Sequence, residues 1–221
     1  MPSVANCVMQ RLYRRDIWRD FKPRQNNAEE VQGWNGNHPS LRRLVSSSSS
    51  GTNVVVDVGV WKGQSTITMA NAMKAAGIDG CVIAVDTFLG SPEHWSMGGD
   101  LFERANGRPD LYETFLDNVA LANLTDYVVP VPQTSVTAAR ILRGLGIKAA
   151  IVHIDAAHEY EEVIRDAEEY WEILSAGGYL VGDDYDQSWG GVVRAAGVFS
   201  AKVGLPLTIE PPKWILRKVD A

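Results

Sequence analysis

The sequence is poor in cysteine. Cys7 and Cys81 are its only two, and they stand far apart. They supply neither a disulfide framework nor a thiolate metal site, so a reducing, cytoplasmic setting is expected. Long apolar runs are also missing. None approaches the roughly 20 residues that a membrane-spanning helix needs, and the amino terminus lacks the apolar centre of a secretory signal. No membrane partner is therefore expected. Basic blocks are absent too. The formal net charge is −6, and Asp16 and Asp20 interrupt the cluster Arg11, Arg14, Arg15 and Arg19. Nucleic acid is a poor partner for such a chain. Two glycine motifs are lacking as well. There is no phosphate-cradling G-x-x-x-x-G-K-[ST] loop. The dinucleotide pattern G-x-G-x-x-G, aligned on Gly59, places Asp57 and Lys62 where glycines belong.

What the chain does have is the stretch Asn53 to Ala70, NVVVDVGVWKGQSTITMA. A β-branched run ends in Asp57, a turn carries Gly59 and Gly63, and Gln64-Ser65-Thr66 open a helix. Strand, glycine turn and helix start form a ligand site at the carboxyl end of a central strand. A carboxylate at the strand end repels pyrophosphate and suits a cation. S-adenosylmethionine carries an amino group, a sulfonium and no phosphate.

Apolar runs and helical patterns alternate from there on, which predicts a parallel sheet with crossover helices. Strands are expected at Asn53–Asp57, Cys81–Asp86, Tyr127–Val131, Ala149–Asp155 and Tyr179–Asp183. Helices are expected at Gln64–Ala76, Leu111–Ala122, Ser135–Leu142, Glu159–Ser175 and Gly190–Val203. Leu207–Glu210 and Trp214–Lys218 read as a hairpin around Pro211-Pro212, with the final strand antiparallel. Residues Thr87 to Asp110, with Trp95 and Met97, read as a long loop. The length of 221 residues fits one domain with an extension. Residues 1–45 form the extension, expected to pack on the main domain over the ligand mouth, with a helix over Cys7–Phe21 stopped by Pro23 and a short helix capped by Ser40. Residues 46–221 form the main domain, entered through a flexible connector, Ser46 to Ser50.

Four expected strands end in aspartate: Asp57, Asp86, Asp155 and Asp183. Ligands sit outside those ends, and like charges held together call for a cation. Asp86 is placed to accept from ribose hydroxyls. Asp155, Asp183 and Asp184 can share a hard cation such as Mg²⁺. His158, three residues past Asp155, can take a proton from an acceptor hydroxyl or cap the next helix. His153, inside a strand, reads as a core histidine. His38 and His94 lie in loops. Trp61, Trp95 and Trp189 fall in crevice loops, where a ring face can meet a sulfonium. Trp171 and Trp214 read as core.

With these residues in place, the chain resembles the class I S-adenosylmethionine-dependent methyltransferases. It is most similar to the metal-dependent sugar O-methyltransferases of macrocin and novobiocin type and to cephalosporin-hydroxylase-like proteins. The stretches that carry the resemblance are VVVDVGVWKGQST, VIAVDTFLGSPEHW, VHIDAAHEYEEVIRDAEEYW and GGYLVGDDY. The resemblance implies a doubly wound, Rossmann-like α/β fold with a seven-stranded, mostly parallel sheet and a reversed last strand. It implies that Gly59, Gly63 and Ser65 hold the methionine end of the cofactor, joined by Asp57 and Trp61 on the same turn. Asp86 would hold the ribose, and Ser135 would lie by the adenine. Asp155, Asp183 and Asp184 match the family's metal carboxylates. Where those enzymes carry a carboxylate base, this chain has Ala157, which leaves His158 or the metal to activate the acceptor. The expected function is Mg²⁺-assisted O-methylation of a small hydroxylated molecule, with a second copy of the chain as a candidate partner. The alternatives are cofactor binding without turnover and, ranked lower, a nucleotide-dependent oxidoreductase.

Overall fold

A computed structural model describes residues 2–47, 51–96 and 101–219. The chain opens with α1 (Val4–Tyr13) and α2 (Pro39–Ser47), then β1 (Val54–Val58), α3 (Gln64–Ala75) and β2 (Cys81–Asp86). A short helix α4 (Pro92–Ser96) and a small hairpin, β3 (Arg104–Ala105) and β4 (Arg108–Pro109), follow. Next come α5 (Leu111–Leu121), β5 (Val128–Pro132), α6 (Ser135–Gly144), β6 (Ala149–Ile154), α7 (Tyr160–Trp171) and β7 (Leu174–Gly182). A 3₁₀ turn (Gln187–Trp189), α8 (Gly190–Val203), β8 (Thr208–Glu210) and β9 (Lys213–Arg217) end the fold.

Seven strands form one sheet in the order β5-β2-β1-β6-β7-β9-β8. β1 pairs in parallel with β2 on one side and β6 on the other. All five of its residues are buried, which explains its near-continuous run of valine. The chain winds outward from β1 in one direction and from β6 in the other, so a crevice opens beyond their carboxyl ends. β9 runs antiparallel to both β7 and β8. The helices α6, α7 and α8 pack side by side, and α2 lies against α3.

Several expectations need correction. The first helix stops at Tyr13, because Arg14 turns left-handed (φ 57°). Trp18 therefore lies outside it and is buried by donating from Nε1 to the Val128 carbonyl (2.8 Å). Ser40 does not cap α2. Pro39 is the first helical residue, suited by its fixed φ, and the Ser40 amide donates to His38 Nδ1 (3.3 Å). α2 runs on through Ser47, and the remainder of the expected serine connector, 48–50, lies outside the described residues. The long loop holds α4 and the β3–β4 hairpin, while its residues 97–100, including Met97, also lie outside them.

The expected helix Glu159–Ser175 gives way to strand at Leu174. Between the pairs Ala149↔Leu174 and Ile151↔Tyr179, β7 carries three more residues than β6, so it bulges. Gly177 sits there at φ 74°, and Lys218 Nζ caps α7 through the carbonyls of Trp171 (2.7 Å) and Leu174 (2.9 Å). β1 reaches Val58, one residue past Asp57, and the aspartate pairs with Ala84 and His153, two residues short of the level of Asp86 and Asp155, so it lies beneath the crevice.

The β1 turn comes so close to the end of β6 that a Cβ on Gly59 (φ 82°) would lie 1.8 Å from the Asp155 carbonyl oxygen. Gly107 has a similar φ of 79°, and among the described residues no neighbour lies within 4 Å of where its Cβ would be. Gly107→Ala is expected to cost about 1 kcal/mol for backbone strain. Gly59→Ala is expected to cost about 3 kcal/mol, because strain and overpacking combine. Urea unfolding of the two variants checks the difference, and equal midpoints would contradict the close approach.

Candidate active site

A cavity of about 560 Å³ opens at the switch between β1 and β6, within the size range of cofactor pockets. One half is built from the glycine turn and the end of β2. The Gly59 amide donates to the Val85 carbonyl (2.8 Å). Trp61 is left-handed (φ 48°), which aims its amide at Asp86 Oδ2 (2.8 Å), while the Phe88 amide donates to Asp86 Oδ1 (2.7 Å). Burial nevertheless pushes the Asp86 carboxyl above the usual carboxylate range. Gln133, Thr134 and Ser135 line the next part of the wall. Ser135 Oγ donates to Asp166 Oδ1 (2.5 Å).

Two of the expected cofactor contacts fall elsewhere. Asp57 is fully buried and is not part of the cavity wall. Its Oδ2 accepts from Ser65 Oγ (2.8 Å) and Thr66 Oγ1 (2.6 Å), and its Oδ1 lies 2.7 Å from His153 Nδ1. Gly63 caps α3 at φ 105°, with the Phe115 ring 3.1 Å from where its Cβ would be. It shapes the turn and does not line the cavity. Gly59, Trp61, Ser65, Asp86, Ser135 and Asp155 do line it. Trp189 lines it also, but Trp95 packs edge-on against Phe102 instead.

The other half stands at the ends of β6 and β7. Asp155 follows β6, and its amide donates to the Val58 carbonyl (2.8 Å). Its carboxylate makes no hydrogen bond among the described residues. Burial, and next the charge of Asp183, hold that carboxyl well above its usual range. Asp184 follows at φ 57°, with its amide on Asp183 Oδ1 (2.8 Å) and its Oδ2 2.9 Å from His158 Nε2. That bond raises the His158 pKa, and the imidazole stacks on Trp189 at 4.1 Å.

Sequence reasoning missed Lys213. It is fully buried at the start of β9. Its Nζ pairs with Asp183 Oδ2 and lies 3.1 Å from His153 Nε2. A lysine ammonium only donates, so Nε2 accepts and Nδ1 donates to Asp57. One buried chain thus runs from Ser65 and Thr66 through Asp57, His153 and Lys213 to Asp183. It confirms His153 as a satisfied core residue. The only advance signal was a lysine directly before the apolar run Trp214-Ile215-Leu216.

The three expected metal carboxylates are therefore divided. Among the described residues, ligand atoms gather within 4.8 Å in two sets, Asp155–His158–Asp184 and His153–Asp155–Asp183. Asp155 belongs to both, while Lys213 draws Asp183 towards the core. The amino-terminal wall was expected only as a segment, and its individual residues were not singled out. Trp34 stacks on Trp61 (4.6 Å between centroids) and on His94 (5.5 Å). The Gly36 amide holds Gln64 Oε1 (2.9 Å), and Glu29 pairs with Lys62 (2.5 Å).

A Rossmann-like sheet with a carboxylate held against a glycine turn, and acids facing it, suits a nucleoside-bearing cofactor at the strand ends. A family model described as a methyltransferase domain matches residues 56–185, more than half of the chain. The chain belongs to that family, and it is an S-adenosylmethionine-dependent methyltransferase. No curated protein sequence matches it. Its fold is similar to the O-methyltransferase NovP, at 24% identity and TM-score 0.62, over 82% of this chain and 78% of that one. It is also similar to the calicheamicin methyltransferase CalS11, at 21% identity and TM-score 0.59, over 82% and 77%. A third is the Bacillus cereus O-methyltransferase in complex with SAH, at 18% identity and TM-score 0.57, over 88% and 84%.

Two outcomes are expected. Lys213→Met strands the buried Asp183 carboxylate and should lower stability by roughly 3–5 kcal/mol, whereas Lys213→Met combined with Asp183→Asn should regain much of the loss. Denaturant titration of both variants tests the pairing. Asp166 is buried and its pKa is raised to about 6, chiefly by desolvation. The folded state then holds its proton more tightly than the unfolded chain. Stability due to this group is full below about pH 4 and falls as pH rises through 6, by about 3 kcal/mol at 1.36 kcal/mol per unit. Asp166→Asn should remove that decline, read from melting curves between pH 4 and 7.

Proposed function

We propose that the chain transfers a methyl group from S-adenosylmethionine to an oxygen of a small hydroxylated acceptor, assisted by a divalent cation. One observation carries the reading: a single cavity has Asp86 on the glycine turn at one end and Asp155, His158 and Asp184 at the other. Gly59, Trp61 and Ser65 would hold the methionine end, Asp86 the ribose, and Ser135 with its neighbours the adenine. The O-methyltransferase activity of NovP and of the Bacillus cereus protein supports oxygen as the acceptor atom.

The residues fit a hard cation such as Mg²⁺. Among the described residues the Asp155 carboxylate accepts no hydrogen bond, and its ionised form is penalised by burial and by Asp183, a penalty that a cation relieves. Asp155 and Asp184 offer oxygen ligands, and Asp183 would hold its place through Lys213. Such an ion supplies attraction for the acceptor oxygens and lowers the hydroxyl pKa.

In the transfer, the acceptor oxygen forms a bond to the methyl carbon as the carbon–sulfur bond breaks. The bonding pair returns to sulfur, and the hydroxyl proton goes to His158. Asp184 accepts from Nε2–H, which leaves Nδ1 as the base. Stacking on Trp189 fixes the ring plane, and positioning supplies much of the rate.

The amino-terminal segment completes the mouth, so residues 1–45 act as a strap on the domain formed by 46–221. Calorimetric titration with S-adenosylmethionine should show binding at one site. SAH release with a panel of diols should fall at least 100-fold in EDTA and return with Mg²⁺. Unchanged turnover in EDTA removes the metal from this reading, and absence of cofactor binding removes the reading itself.

A further inference from the structure

The cavity wall carries a biased set of charges. Asp86, Glu93, Asp155, Glu159, Asp183 and Asp184 all line it, and no Lys or Arg does. The bias is not an effect of undescribed residues, since every Lys and Arg of the chain lies among the described ones. Cations close to the wall are already engaged. Lys62 pairs with Glu29 at 2.5 Å, Lys213 is held by Asp183, and the Arg104 guanidinium packs over the Trp95 and Phe102 rings at 4.9 and 4.5 Å. Apart from the methionine carboxylate of the cofactor, which its own ammonium accompanies, a carboxylate or phosphate brought into this space gives up its hydration and meets no Lys or Arg side chain in the wall. An unpaired charge in that position is strongly disfavoured.

Ring surface is plentiful by contrast. Trp34, half-exposed at 51%, lies over both Trp61 and His94, with interplanar angles of 28° and 17°. His158 lies flat on Trp189. The two ring groups belong to one space, because Trp34, Trp61, His94, His158 and Trp189 all line the same cavity. Aromatic faces bind the flat face of another ring, whether aromatic or the C–H face of a sugar.

We infer that the acceptor is a ring-shaped diol that carries no carboxylate, phosphate or sulfate, and is either uncharged or positively charged. The inference rests on the methyl-transfer reading above. Neighbouring hydroxyls suit an ion shared by Asp155 and Asp184, and the ring lies between the Trp34–His94 and His158–Trp189 surfaces. Glu93, on the short helix α4, then acts as a charge filter at the wall.

The test uses the full chain with SAH and Mg²⁺, titrated calorimetrically with matched probes. Catechol is compared with 3,4-dihydroxybenzoate, and methyl rhamnoside with rhamnose 1-phosphate. The neutral member of at least one pair should bind at least tenfold more tightly than its anionic counterpart. Which pair responds separates an aromatic from a sugar acceptor. Glu93→Lys should narrow the gap several-fold by improving the anionic probe, a gain that a damaged fold does not produce. Equal or tighter binding of the anionic probes, no binding by either neutral probe, or a gap unmoved in Glu93→Lys overturns the inference. Cofactor binding, measured on the same protein with S-adenosylmethionine alone, shows whether such a failure reaches back to the methyl-transfer reading.

Discussion

The arrangement of the crevice depends on one buried cation. The Lys213 ammonium lies between Asp183 and His153, and through His153 it reaches Asp57 and the first turn of α3. An ion taken out of water is costly unless its partners are well placed. Here the placement follows from the sheet. In an antiparallel pair, the first residue of one strand lies at the carboxyl end of its neighbour. The reversed strand β9 therefore begins at the ligand face, with Trp214 opposite Gly182. A Cβ at Gly182 would lie 2.0 Å from the Trp214 ring, so glycine is what admits the indole and sets the register. Lys213, one residue earlier, then falls beside Asp183, one residue later. The reversal of the last strand thus delivers the positive charge that the acidic strand ends need.

The fold was largely legible in the sequence because its signals are local. The β-branched run of β1, the strand Cys81–Asp86 and the helix Gly190–Val203 each declare themselves through period and punctuation. The errors came where tertiary pairing overrides local pattern. Glu172 to Ser175 continues a helical pattern, yet pairing with β6 makes a bulged strand from Leu174 onward. At the site, Asp86 and Asp155 were legible because each closes a strand. Asp57 was misplaced because it stands opposite Ala84 and His153, two residues short of Asp86 and Asp155, where the neighbouring strands still bury it. Lys213 and Trp34 were invisible as site residues, since nothing local tells a buried lysine or a wall tryptophan from a surface one.

The amino-terminal segment is better seen as part of the site than as an appendage. Arg24 holds Asp117 at 2.8 Å, the Glu29 amide holds Asn118 Oδ1 at 3.0 Å, and Asn118 in turn donates to the Lys62 carbonyl at 2.9 Å. These bonds anchor the segment on α5 and on the glycine turn together. Trp34 is carried across the cavity as a consequence. A turn of this kind would otherwise leave Trp61 open to water, and excluding water strengthens every charge interaction beneath it.

The electrostatic state of Asp155 ties these parts together. Its carboxyl is held well above the usual range, so its ionised form is penalised in the folded protein and the penalty grows as pH rises. Lys213 does not remove that penalty, because its ammonium is already shared by Asp183 and His153. Asp184 adds to it and spends one oxygen on His158. The relief must therefore come from a proton or from positive charge brought by what binds. S-adenosylmethionine carries an ammonium and a sulfonium, and a divalent ion carries more. A site whose acids are strained when alone discriminates in favour of such ligands, since each releases repulsion that a neutral molecule leaves in place. By the same argument an anionic group on the acceptor would add to that repulsion.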